Sequence, residues 1–110
     1  MKLIATSMVG NFPVKVFEED GCENYGTTRT IDGGMVIEIV LDSNMPKALY
    51  WETFHHEMCH AAEIAMGLHI TEQTIGALGM GLGQALGDKL SWKQAPAVSF
   101  PKWTGKLPKP

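Results

Sequence analysis

The sequence predicts an α+β domain, with a short antiparallel N-terminal sheet built around a hairpin, two main helices packed on it, and an extended C-terminal arm. Three observations carry that prediction. Residues 1–42 hold alternating and β-branched apolar runs broken by Gly and Asp turn signals. Residues 46–66 hold one long helical pattern closed by Gly67, and a second apolar pattern opens after Thr71-Glu72.

In chain order, Val14-Lys15-Val16-Phe17-Glu18 alternates apolar and polar side chains, the period of a half-buried strand, and Glu19-Asp20-Gly21 ends it. Thr27-Thr28-Arg29-Thr30-Ile31 is β-prone, and Asp32-Gly33-Gly34 gives the turn signal of a hairpin leading into residues 35–41. That run, Met-Val-Ile-Glu-Ile-Val-Leu, is apolar except at Glu38 and is expected to be the best-buried strand.

Asp42, Ser43 and Asn44 are N-cap candidates and Pro46 suits a first turn, so a helix is expected from Met45 or Pro46 to Met66. Gly67 supplies its stop. Thr71 caps a second helix expected from Glu72 to about Lys89. Its interior glycines each cost about 1 kcal/mol against Ala, which calls for a reason. Gly79, Gly83 and Gly87 recur every four residues and form a smooth stripe on which another backbone can pack; Ile75, Leu78, Leu82 and Leu86 make the accompanying apolar face.

Beyond Ser91, four prolines, two tryptophans and four lysines replace the helical pattern. Residues 1–90 therefore read as one domain and residues 91–110 as an extended arm. Trp92, Val98, Phe100 and Trp103 are too apolar for a wholly solvated linker, so the arm is expected to dock on the body or on a partner.

The whole chain bounds the function. Its 110 residues suffice for one core, and 45% hydrophobic with 19% charged residues is ordinary globular composition. The net charge of −3 is unevenly spread: residues 1–87 carry four Lys/Arg against eleven Asp/Glu, giving −7, and residues 88–110 carry five Lys against one Asp, giving +4. An acidic body argues against nucleic acid as a partner. Cys22 and Cys59 make no disulfide framework, residues 1–7 do not read as a secretory signal, and the weakly polar stretch 75–87 is too short to cross a bilayer. A cytoplasmic protein with no membrane partner is expected.

In the middle of the first helix stands His55-His56-Glu57-Met58-Cys59-His60, which contains H-E-x-x-H. Residues four apart share a helix face, so His56 and His60 can reach one metal ion, and Glu57, about 100° round the helix, is placed to take a proton from a water there. Two imidazoles and a carboxylate among Ala48, Leu49, Trp51, Phe54, Met58, Ala61, Ala62 and Ile64 would be costly without a partner, which a metal ion supplies. His55 points about 100° away and reads as a surface or ligand-supporting residue.

A catalytic zinc site wants a third protein ligand. Glu63 lies a rise of about 10 Å past His56, too far to share the ion, and better suits orienting a histidine. His69 lies beyond the Gly67 stop, Glu72 opens the second helix, and Cys22 is a soft ligand in an earlier loop. The spacing alone leaves these open.

The run Glu52-Thr53-Phe54-His55-His56-Glu57-Met58-Cys59-His60-Ala61, followed by Gly67-Leu68, Thr71-Glu72 and Gly81-Leu82-Gly83-Gln84-Ala85-Leu86, resembles the small phage-type zinc metallopeptidases related to the ImmA/IrrE-type gluzincins. The match covers residues 35–88. The resemblance implies a minimal zincin-like domain holding one catalytic zinc ion, with His56 and His60 as ligands, Glu57 as general base and Glu72 as third ligand. It implies hydrolysis of a protein or peptide substrate through a metal-bound water, with Glu57 passing the proton to the leaving amine. An edge in the 27–41 hairpin would align an extended peptide, and Tyr25, Tyr50 and His69 are possible donors to the developing oxyanion.

Two rivals differ in class or ligand. One is a non-catalytic, metal-stabilised interaction module whose basic arm binds a protein. The other is a deformylase-like metallohydrolase in which Gly21-Cys22 supplies the ligand.

Overall fold

The computed structural model describes residues 1–86. The expected arm over 91–110, the last turn expected of the second helix and Gly87 lie outside them. The described chain runs β1 (Lys2–Val9), β2 (Phe12–Glu19), β3 (Gly26–Ile31), a 3-10 turn (Asp32–Gly34), β4 (Val36–Asp42), α1 (Lys47–Met66) and α2 (Glu72–Leu86), an α+β arrangement as expected.

The four strands form one sheet in the order β1-β2-β4-β3. The expected hairpin is present: β3 and β4 pair antiparallel, with Ile31 opposite Val36 and Gly26 opposite Leu41. β1 and β2 form a second antiparallel pair, joined through Gly10 at φ +58°. The sheet is nevertheless mixed, because β2 and β4 run parallel from Val14–Ile37 to Glu19–Asp42. The physical reason lies in β4, whose residues are buried from Ile37 to Asp42, so it takes a central place. After β2 the loop passes over the end of β4, where Asp42 N–H donates to Tyr25 O (2.8 Å) and Ser43 N–H to Glu19 O (3.0 Å). β3 then forms the outer edge, and β4 returns into the gap. Glu38, the polar interruption in β4, stands opposite Arg29 and accepts from its Nε at 2.8 Å.

Val14, Val16, Ile37, Ile39 and Leu41 point from one sheet face into the core, against Tyr50, Phe54 and Ala61 of α1. α1 begins at Lys47, slightly later than the sequence suggests, because its cap candidates are used in the turn before it: Asp42 Oδ1 accepts from Asn44 N–H at 2.9 Å. Its stop is as expected, with Gly67 at φ +65° sending its N–H to Glu63 O. Thr71 also acts as expected, its Oγ1 accepting Thr74 N–H at 3.2 Å.

The glycine stripe of α2 is the packed side. A Cβ at Gly79 would lie 3.0 Å from the Glu52 carbonyl oxygen and from His56 N, and one at Gly83 would lie 2.7 Å from Glu52 N and Cα. The expected apolar face is only partly used: Ile75 is fully buried, whereas Leu78, Leu82 and Leu86 remain exposed. Close approach is made on the side without side chains, which turns the leucines away from α1. Among the described residues no helix is long and apolar enough to cross a membrane.

Candidate metal centre

α1 places His56 and His60 one turn apart with ring centroids 5.0 Å from each other. The close α1–α2 contact then brings the first residue of α2 back over both rings. Glu72 Oε1 lies 2.8 Å from His56 Nε2, and Oε2 lies 3.3 Å from His60 Nε2. Ligand atoms of the three residues all fall within 4.8 Å of one another. Bonds of about 2.0–2.1 Å in a tetrahedron put neighbouring ligand atoms roughly 3.3 Å apart, a separation close to the two His–Glu72 distances, so the trio could hold one zinc-sized ion.

A hydrogen-bonding detail sharpens the fit. Glu63 Oε1 lies 2.8 Å from His60 Nδ1, and Oε2 accepts Ile70 N–H at 2.9 Å. The Ile70 N–H first, then His60, hold the Glu63 carboxyl below the usual carboxylate range, so it is ionised at neutral pH. An ionised carboxylate accepts, hence His60 Nδ1 donates and a neutral ring presents a lone pair at Nε2. That lone pair faces Glu72 Oε2. Two acceptors 3.3 Å apart repel unless a cation or a proton lies between them.

Glu57 stands beside the trio. It is 7% exposed, and its Oε1 accepts from Thr28 Oγ1 on β3 at 2.6 Å. The same hydroxyl lies 3.1 Å from the Glu57 carbonyl oxygen. β3 can come this near only because Gly26 has no side chain: a Cβ there would be 2.8 Å from Thr53 Cγ2 and 2.9 Å from Glu57 Cγ. Nothing in the sequence signals Thr28 as a partner of Glu57, since it reads as one of several β-prone threonines.

The other candidates separate cleanly. Glu63 supports His60 instead of joining the trio. His69 lines the neighbouring cleft but is outside the group. Cys22 is also outside it; its Sγ donates to Glu19 O at 3.4 Å, and partial burial followed by Asp42 and Glu19 pushes its thiol pKa up. His55 is not a surface residue. It is 7% exposed beside the Phe54 ring (centroids 5.1 Å apart), and burial pulls its imidazole pKa down. Tyr50 belongs to the core and donates to Glu18 Oε2 at 2.6 Å, whereas Tyr25 is in the cleft wall.

The cleft, of about 950 Å³, runs along α1 from Leu49 to Ile64 and is closed by β3 on one side and residues 67–69 on the other. Among the described residues β3 pairs with β4 alone and forms one edge of the sheet beside this cleft.

No protein-family model matches the chain, and no curated protein or solved structure is significantly similar to it.

Proposed function

We propose that this chain is a zinc-dependent peptidase of the HExxH type. The observation that carries the reading is the His56–His60–Glu72 trio with a buried carboxylate, Glu57, held next to it by a different element. His56, His60 and Glu72 are the residues that would hold the ion, which supplies Lewis acidity towards water and a carbonyl oxygen when bound.

The protein's own groups perform the remaining work. Thr28 keeps Glu57 Oε1 in one orientation, so the carboxylate is ready to accept a proton from water and return it to the leaving amine. Glu63 fixes the His60 tautomer that offers Nε2 to the trio. The edge of β3, unpaired among the described residues, suits an extended peptide bound by main-chain pairing, and the cleft volume lies near the top of the usual ligand-pocket range, as a peptide would need. Tyr25 and His69 stand in the cleft walls as donors for a developing oxyanion.

A closed structural site would have four protein ligands, and the trio has three. A deformylase-like site would need Cys22 in the group, and Cys22 instead bonds to its own loop.

Glu57→Gln is the test. Peptide-library hydrolysis followed by mass spectrometry should fall by at least about 100-fold, the usual scale of a general base, while zinc content is retained. Undiminished hydrolysis by the variant would remove Glu57 from the role.

A further inference from the structure

Four carboxylates line the cleft, and three of them are committed. Glu72 meets both imidazoles, Glu63 holds His60 and the Ile70 N–H, and Glu57 accepts from Thr28. The fourth, Glu52, is half-buried in the same wall and makes no hydrogen bond or ion pair among the described residues. No Lys or Arg lines the cleft among those residues either, so the Glu52 carboxylate is left for a cation that enters from outside.

Glu52 is also firmly placed. Its backbone is the part of α1 that the glycines of α2 touch: a Cβ at Gly83 would lie 2.7 Å from Glu52 N, and one at Gly79 would lie 3.0 Å from Glu52 O. A backbone held on that side presents its side chain to one stretch of the cleft.

The two ends of the cleft differ in chemistry. Before the histidine pair α1 supplies Glu52 and Thr53; after it come Ile64 and Leu68, which are 38% and 49% exposed. The midpoint between His56 and His60 is six residues from Glu52 and six from Ile64, a rise of about 9 Å each way. An extended peptide covers that distance in about three residues. A chain lying along the cleft with its scissile bond at the trio would therefore set one side chain beside Glu52 and another, across the bond, beside Ile64 and Leu68.

We infer that Glu52 selects substrates that carry Lys or Arg within about three residues of the scissile bond on one side and a large apolar residue on the other. Such selection presupposes the peptidase reading of the trio and adds to it the class of substrate. A free α-amine carries the same positive charge, but the lining continues past Glu52 to Leu49, so a bound chain need not end there.

The test is the cleavage profile of N-acetylated, C-amidated peptide libraries treated with the zinc-loaded full chain. Cleaved sites should be enriched about 10-fold in Lys or Arg on one flank, the scale of a hydrogen bond to a charged group, and acetylation of the lysine should remove the enrichment. Glu52→Gln, which matches the parent in size and helix propensity, should cleave lysine and acetyl-lysine peptides equally, and Glu52→Lys should turn the preference towards Glu. Binding is read separately, by the fluorescence anisotropy of a labelled alanine-rich peptide with one Lys and a Leu about five residues away, in either order, on the zinc-loaded Glu57→Gln chain. Its Kd should be about 10-fold below that of the acetyl-lysine twin, and adding Glu52→Gln should erase the difference. Cleavage with no basic preference, a preference that survives Glu52→Gln, or cleavage only of peptides with a free α-amine would each overturn the assignment and leave the peptidase reading standing. Equal affinity for the twin peptides, or none for either, would overturn it too. Lysine-selective binding that depends on Glu52 in a chain whose parent cleaves nothing would instead uphold Glu52 as the cation's partner and remove the peptidase reading.

Discussion

His60 Nδ1 and Glu63 Oε1 are 2.8 Å apart, and the other oxygen of that carboxylate holds Ile70 N–H, two residues before Glu72. One side chain thus orients a ring of the trio and anchors the turn that delivers its carboxylate.

Glu63→Gln keeps an oxygen for the Ile70 N–H but turns an amide NH2, a donor, towards His60 Nδ1 in place of the acceptor. Zinc affinity, measured by competition with a chelator, should fall by about 10- to 100-fold, the usual effect of losing a carboxylate that supports a ligating histidine. Unchanged affinity would show that the His60 tautomer is set by something else.

The two kinds of glycine in α2 should respond oppositely to alanine. Gly76 and Gly81 meet nothing within 4 Å, so alanine there should stabilise the protein by about 0.5–1 kcal/mol in urea unfolding. At Gly83 the new Cβ would sit 2.7 Å from the Glu52 backbone, and an overpacking cost of about 1–3 kcal/mol should exceed the helix-propensity gain. Zinc affinity should drop in Gly83→Ala as well, because Glu72 rides on the displaced helix.

Thr28→Val removes the donor to a buried carboxylate. Stability should fall by about 1–3 kcal/mol, and hydrolysis should lose kcat with little change in KM. Thr28→Ser, which keeps the hydroxyl, should restore most of both. Equal behaviour of the two variants would mean that the hydroxyl does not hold Glu57.

Local signals were readable from the sequence and long-range ones were not. Gly67 and Thr71 bound the helices where their capping chemistry says, and Asp32-Gly33-Gly34 turns the β3–β4 hairpin. The same residues cannot say on which flank of β4 the second strand lies, so the parallel β2–β4 pairing was invisible. At the site, His56, Glu57 and His60 are encoded within five positions of one helix. Glu72 was supplied by a resemblance, and its approach depends on Gly79 and Gly83 meeting α1. Thr28 had no local signal, because its role arises only when an edge strand crosses the motif helix. The leucines of α2 misled for a similar reason: periodicity marks an apolar face but not which side of the helix a glycine contact selects.

The most direct measurement is calorimetric titration of the full-length chain with zinc. One ion should bind per chain; binding should be lost in His56→Ala, His60→Ala and Glu72→Ala and retained in Cys22→Ser, with a chelator lowering the unfolding temperature of the loaded protein. No uptake of zinc, or uptake that survives Glu72→Ala and disappears in Cys22→Ser, would contradict a centre built from His56, His60 and Glu72.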